Sequence, residues 1–254
     1  MAQSQTPLRG KTALVTGSAK RIGREIAYSL ADAGVNVLVH YGSSGDEAQD
    51  LCRNLGERGV QAWPVRSDFR KPGEYGTLIE RAVQLAGPFE ILINNASVFR
   101  PSTPEDLSFE TFMDDILINA WAPFHLSRDF ARHIGRGAIV NLLDARTEGD
   151  DWDHVGYVMS KRLLAEFTRA TALKFAPAIR VNAVAPGLIL PPAGKDDSYL
   201  DTLSESVPLR RHGSPTDVAK AVLFLLESDF ITGQVIYVDG GQRLMEHKHG
   251  PHTH

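Results

Sequence analysis

The chain has 254 residues, 43% of them hydrophobic, and a formal net charge of -4. That length can bury a sizeable core and suits one α/β domain better than two, while the mild acidity gives neither nucleic acid nor an anionic membrane surface a counter-charge to bind. The one cysteine, Cys52, permits no intrachain disulfide and fits a reducing, cytoplasmic setting; no apolar run reaches the length of a membrane span, and Met1–Gly10 lacks the apolar core of a signal peptide.

Short runs rich in Val and Ile alternate with amphipathic stretches. Thr12–Thr16 predicts a first strand, followed by a helix over Arg24–Ala33. Val35–His40 predicts the second strand, and Gly45–Glu57 a helix in which Cys52 is a half-buried thiol. Ala62–Val65 and Ile91–Asn94 read as strands, each followed by a helix, Tyr75–Ala86 and Thr111–His133. Ala138–Leu142 then leads to a helix over Tyr157–Phe175, and Arg180–Val184 is the sixth strand. Leu190–Leu209 breaks the rhythm with Pro191-Pro192, Gly194 and a loose helix around Ser198–Ser206, and is expected to be a substrate lid. Helix Pro215–Glu227 and strand Val235–Val238 complete the pattern. The tail Glu246–His254, with four histidines, reads as solvated rather than as a metal site, and no metal is expected.

Strands that are apolar on both faces and separated by helices imply a single α/β domain of Rossmann type. Its doubly wound, seven-stranded parallel sheet would carry helices on both faces. In such a sheet ligands bind beyond the carboxyl ends of the strands, so function should gather in the residues just after each strand.

The first strand runs into Thr16-Gly17-Ser18-Ala19-Lys20-Arg21-Ile22-Gly23, and a helix opens directly after it. Glycines there let a pyrophosphate approach backbone N–H groups at a helix N-terminus, so Gly17, Lys20, Arg21, Ile22 and Gly23 are expected to hold a dinucleotide. The second strand ends at His40-Tyr41-Gly42-Ser43-Ser44, with no acid until Asp46. A carboxylate at that point would hold the ribose hydroxyls of NAD. Without one, a 2′-phosphate can meet Lys20 or Arg21 and the hydroxyls of Ser43 and Ser44, which favours NADP(H). Asp68, after the third strand, is placed to accept from an adenine amino group. Asn94-Asn95-Ala96-Ser97, after the fourth, offers small polar residues where the backbone must pass the cofactor, although either asparagine also fits a plain loop cap.

Tyr157 and Lys161 lie i and i+4 at the start of a helix and share one face. A free phenol, with a pKa of about 10, is a poor proton carrier near neutrality. A neighbouring ammonium is expected to lower that pKa, and Lys161 can also reach the nicotinamide ribose.

The glycine loop, the Asn-Asn-Ala strand end, the Tyr157/Lys161 pair, Pro186-Gly187 and the Val238-Asp239-Gly240-Gly241 ending together resemble the short-chain dehydrogenase/reductase family over nearly the whole chain. The resemblance implies that Asn119, in Ile118-Asn119-Ala120, holds through its backbone a water linked to Lys161. It places Pro186 and Gly187 beside the nicotinamide carboxamide, with Ile189 where a small hydroxyl residue is usual, and gives His40, Tyr41 and Phe69 to the cofactor site. It also implies a homo-oligomer, tetramer or dimer.

Where the family usually has a serine that donates to a carbonyl oxygen, this chain has Asp144. An ionised carboxylate only accepts and suits a substrate that offers N–H groups, unless it holds a proton and acts as an acid. Asp144 with Tyr157 and Lys161, Lys20-Arg21-Ile22-Gly23, His40-Tyr41 and Asn95-Ala96-Ser97-Val98-Phe99 resemble the pteridine reductases. That likeness implies Phe99 stacked on a pterin and Ser97 touching cofactor or pterin, so Ser97, Phe99, Asp144 and Tyr157 would meet a small heterocyclic substrate. Gly42 departs from the subgroup, which often has Arg there for the 2′-phosphate. The acidic stretch Thr147–His154, with Glu148, Asp150, Asp151 and Asp153, is expected to disfavour a strongly anionic substrate such as a polyglutamylated folate. Three functions follow: an NADPH-dependent pteridine reductase, a ketone or 3-oxoacyl reductase on the same cofactor site, and a dinucleotide-binding sensor without turnover.

Overall fold

The computed structural model describes residues 8–149, 151–192, 194–205 and 207–245. Seven strands form one sheet: β1 (Thr12–Val15), β2 (Asn36–Tyr41), β3 (Ala62–Arg66), β4 (Ile91–Asn94), β5 (Gly137–Leu142), β6 (Ile179–Pro186) and β7 (Val235–Val238). Their order is β3-β2-β1-β4-β5-β6-β7, and every pairing is parallel.

Alternating strand residues divide the core in two, because successive side chains point to opposite faces. Val15, Val37, Val39, Ile93 and Val140 pack under helices α1 (Arg21–Asp32), α2 (Gly45–Glu57) and α9 (Pro215–Glu227). Leu14, Leu38, Leu92, Ile139 and Val181 pack under α4 (Leu78–Ala86), α6 (Ala122–His133) and α7 (Val155–Phe175). Strand order reverses between β1 and β4, so the ends of those two strands part and open a crevice there.

The helices differ from the sequence expectation in instructive ways. α1 begins at Arg21, ahead of Arg24, because the chain turns at Gly17 with φ +62 and can enter the helix early. The stretch expected as one helix over Tyr75–Ala86 is two, α3 (Pro72–Tyr75) and α4, broken where the Thr77 hydroxyl donates back to the Gly73 and Glu74 carbonyls. The long helix expected at Thr111–His133 starts at Phe109, where Ser108 Oγ accepts from Thr111 N, and it is α5 (Phe109–Ile116) running into α6 through a π-helical turn, Leu117–Trp121. Pro123 contributes to that wider turn, since it has no N–H to donate and its ring crowds the carbonyl four residues back, that of Asn119. The excursion after β6 carries a short helix, α8 (Asp197–Ser204). The histidine tail lies outside the described residues. No helix among those described is long and apolar enough to cross a membrane.

A buried polar network ties the strand ends to the helices below the crevice. Asn94 Nδ2 donates to Asn141 Oδ1 (2.8 Å) and Ser127 Oγ (3.1 Å), and Asn141 Nδ2 donates to Thr168 Oγ1 (2.8 Å). Asn94 is thus a structural tie between β4, β5 and α6, not a residue of the crevice. Replacing Asn141 with alanine removes one acceptor and one donor from a dry site, at a cost of roughly 2 kcal/mol. Thermal melting of Asn141→Ala should show a midpoint about 5 °C lower, with the affinity for dinucleotide unchanged.

Candidate functional site

The crevice is a cleft of about 590 Å³ whose walls include Gly17, Lys20–Gly23, Asp68, Phe69, Asp144, Tyr157 and Lys161. Its dinucleotide half is built by pressing the glycine loop against the end of β4. Thr16 Oγ1 accepts from the backbone N–H groups of Asn95 and Ala96 (2.9 Å each), and Asn95 Nδ2 donates to the carbonyls of Thr16 (2.8 Å) and Gly17 (3.1 Å). A Cβ at Gly17 would lie 2.9 Å from Ala96 Cα, and one at Gly23 would lie 2.6 Å from the Gly17 carbonyl oxygen. Only hydrogen fits at either place. The Asn95 amide therefore shapes the loop instead of reaching outward.

His40 completes the clamp and also lines the cleft. Its Nδ1 accepts from Gly17 N and its Nε2 donates to the Ser67 carbonyl, both at 3.0 Å, and the ring stacks on Phe69 at 4.7 Å. Both nitrogens are thus engaged by the protein, and the arrangement requires the neutral ring. Burial, first of all, lowers the His40 pKa from 6.5 to about 4.

The residues present fit NADP(H). The buried hydroxyls of Ser18 and Ser67 have no protein partner. Ser43, Ser44, Tyr41 and Asp68 line the wall beyond β2 and β3, and Ile22, Ala96, Ser97, Pro186, Gly187 and Ile189 line the rest. Lys20 pairs with Glu47 at 2.6 Å through half-exposed side chains, a contact weak enough in water for a phosphate to replace it. Arg21 donates to the Pro191 carbonyl (2.8 Å), joining the glycine loop to the excursion after β6. At Gly42, where an arginine was the comparison, Arg66 Nε from the neighbouring strand donates to the Gly42 carbonyl (3.3 Å).

In the other half, Tyr157 Oη donates to Asp144 Oδ2 at 2.8 Å, while Asp144 Oδ1 accepts from Arg146 N at 2.9 Å. Here the electrostatics reverse the expectation. Burial, then the Asp144 charge and its hydrogen bond, raise the Tyr157 pKa well above 10. Lys161 does not offset this. Its ammonium donates to the Leu142 carbonyl (2.7 Å) and lies 5.8 Å from the Tyr157 ring centroid, and burial lowers its own pKa to about 8. The phenol is held as a proton donor.

Asn119 is buried in the π-helical turn. Its Oδ1 accepts from Ser97 Oγ and Val98 N (2.9 Å each) and its Nδ2 donates to Ser160 Oγ (3.0 Å), so its side chain braces the Ser97–Val98 loop behind the wall. Phe99 is 39% exposed and has company: His154 stacks on it at 4.2 Å, Tyr157 meets it edge-on at 4.8 Å, and the Arg146 guanidinium lies 4.8 Å from its centroid. Arg146 lines the cleft and was missed in the sequence; its place two residues after Asp144 was the available signal. Two acids of the stretch have partners. Asp151 is paired with His154 (3.0 Å) and Arg146 (3.4 Å), and Glu148 accepts from the Tyr237 hydroxyl.

Comparison with known proteins shows the family. The family model described as enoyl-(acyl carrier protein) reductase matches residues 17–243. The chain belongs to the short-chain dehydrogenase/reductase family. It is an oxidoreductase that uses NADP(H). Among curated relatives, the 3-oxoacyl-[acyl-carrier-protein] reductase FabG of Staphylococcus epidermidis is 33% identical over 91% of this chain and 98% of its own length. A granaticin polyketide synthase putative ketoacyl reductase of Streptomyces violaceoruber is 34% identical over 92% and 96%. Among solved structures, the FolM alternative dihydrofolate reductase 1 of Brucella suis in complex with NADP superposes with a TM-score of 0.88 at 32% identity, covering 92% of this chain and 96% of that one. The angucycline C-6 ketoreductase LanV with bound NADP gives 0.87 at 32% identity, covering 93% and 97%.

His40 makes stability depend on pH. Its folded pKa lies below its ordinary one, so the unfolded chain binds the extra proton. The contribution is complete above pH 6.5 and is lost as pH falls from there toward 4. The full difference is on the order of 3 kcal/mol. His40→Asn keeps an acceptor for Gly17 N and cannot titrate, so its melting midpoint should fall less steeply than the wild type's between pH 6.5 and 4.5 in parallel calorimetric scans.

Proposed function

We propose that the chain is an NADPH-dependent reductase of a pteridine ring, a dihydropterin or dihydrofolate-like heterocycle. The observation that carries this reading is the carboxylate of Asp144 accepting from Tyr157, at the position where a carbonyl reductase needs a donor. A ketone oxygen gathers negative charge during reduction and requires N–H or O–H groups aimed at it. Asp144 and a phenol whose proton it holds offer a different complement: acceptors for ring N–H and amino groups, and one acidic hydrogen.

NADPH, when bound, supplies the hydride that goes to the ring carbon of the C=N bond. Tyr157 delivers the proton to the ring nitrogen from Oη, and Asp144 orients that hydroxyl and helps to relay the replacement. Lys161, through the Leu142 carbonyl, anchors the end of β5 beside the phenol and has free donors for a ribose hydroxyl. Asn119 is a positioning residue; Pro123 deprives its carbonyl of the α-helical donor, which leaves an acceptor for water near Lys161. Gly17, Lys20, Arg21, Ile22, Gly23, Tyr41, Ser43, Ser44, Asp68, Phe69, Ala96, Ser97, Pro186, Gly187 and Ile189 hold the cofactor, and Ser97 and Phe99 meet the substrate as well. The segment after β6 acts as the lid: Tyr199 and Leu203 line the cleft, and Arg21 fastens its Pro191 carbonyl. A cytoplasmic homo-oligomer belongs to the same reading, supported by exposed Phe109, Met113 and Trp121 along one helical stretch.

The second reading is reduction of a ketone or 3-oxoacyl thioester, which the likeness to 3-oxoacyl and ketoacyl reductases favours. Purified protein with NADPH should consume dihydrobiopterin or dihydrofolate, followed by loss of absorbance. Turnover of ketones without either pterin would sink the first reading. Asp144→Ser should lower kcat on the pterin by about 10²-fold and leave ketone reduction equal or improved; the second reading requires the pterin to be indifferent.

A further inference from the structure

We propose that Arg146 selects substrates that carry a carboxylate on the substituent of the reduced ring. This rests on the pteridine reading and adds which pteridines are preferred: those with an acidic tail over those with a neutral one.

The other cations of the cleft wall lie away from Phe99 in their contacts. Lys161 is fixed on the Leu142 carbonyl, Arg21 on the Pro191 carbonyl, Lys20 on Glu47, and Arg70 faces Asp114 at 3.4 Å. Arg146 is different. Its backbone N–H donates to Asp144 Oδ1, which fixes where the side chain starts. Its guanidinium lies against Phe99, the aromatic shelf of the substrate half, and about 31% of the side chain is exposed. The protein group beside it is Asp151, 3.4 Å from Nε, and that carboxylate is held more closely by His154, whose Nδ1 lies 3.0 Å from both oxygens. Arg146 lines the cleft, and among the described residues its ion pair is made through Nε, not through the outer guanidinium nitrogens. A planar guanidinium laid on an aromatic ring presents a fork of N–H groups at its edge, the geometry that takes a carboxylate through two hydrogen bonds.

Asp144 points toward Tyr157, and Arg146, two residues on, points toward Phe99. A ring bound by the first therefore directs its substituent past the second. This reverses the expectation drawn from the acidic stretch. Asp151 and Glu148 have partners of their own, and the charged group lying against Phe99 is the cation.

The test compares dihydrofolate, whose glutamate carries carboxylates, with dihydrobiopterin, whose side chain is uncharged, on wild type, Arg146→Gln and Arg146→Lys. Arg146→Gln should raise the KM for dihydrofolate about tenfold with kcat kept, and change the KM for dihydrobiopterin less than about twofold. Arg146→Lys should recover part of the loss, as a point charge without the fork. Calorimetric binding of folate and of biopterin to the NADP⁺-loaded proteins should show the same split. Equal changes for both pterins, or none, would overturn the role of Arg146 while leaving the pteridine reading intact. A wild type that turns over neither pterin would overturn the parent reading, and this one with it.

Discussion

A phenol that donates to a carboxylate in a place where water is scarce cannot easily lose its proton, and the substrate half of the cleft is organised around that constraint. The bond from Tyr157 Oη to Asp144 Oδ2 is 2.8 Å long, and Asp144 is itself anchored by the Arg146 backbone. Burial of Tyr157 and the adjacent negative charge act in the same direction, both raising its pKa. A serine in place of Asp144 would remove the second effect and, since a hydroxyl can donate as well as accept, oppose the first. The same tyrosine would then sit in a different electrostatic setting on an unchanged backbone.

The dinucleotide half obeys a second constraint, close approach. The loop after β1 lies against the end of β4, and three residues from three strand ends hold it there: Thr16 from β1, Asn95 from β4 and His40 from β2. Each acts through hydrogen bonds to backbone, so the loop's shape is determined before any cofactor arrives. Such pre-organisation avoids ordering a loop at the moment of binding.

Much of this could be read from the chain because its signals are local. Val- and Ile-rich runs, two-sided and separated by amphipathic stretches, can be buried only as a parallel sheet between helix layers. Gly17 and Gly23 mark contacts too close for a Cβ, and Tyr157 and Lys161 share a helix face by spacing alone. What escaped the reading depends on contacts between distant segments. His40 was placed near the cofactor by its position after β2, but that it clamps Gly17 to Ser67 is set by strands paired across the sheet. The direction of the Tyr157 pKa was mistaken because spacing brings Lys161 near without saying where its ammonium points; it points to Leu142. The π-helical turn at Leu117–Trp121 has no periodic signature, and the pairing of Asp151 with His154 and Arg146 sets basic side chains against one acid of an apparently anionic loop.

The competing substrate classes can be weighed by counting lone pairs at Asp144. Both of its oxygens already accept, one from Tyr157 and one from a backbone N–H. To polarise a ketone the carboxyl would need its own proton aimed at the substrate oxygen. The oxygen carrying that proton would cease to be a good acceptor, so either the Tyr157 bond or the Arg146 bond would weaken. The first loss misaligns the proton carrier, and the second loosens the turn that sets Arg146 against Phe99. A heterocycle with N–H groups needs no proton on the carboxyl, because each carboxylate oxygen has a second lone pair that can accept from the substrate. On the pteridine reading Asp144 gains donors from the substrate and gives up only the Tyr157 hydrogen bond, as that hydroxyl turns to hand its proton to the ring nitrogen; a carbonyl polarised by Asp144 needs a proton on the carboxyl as well.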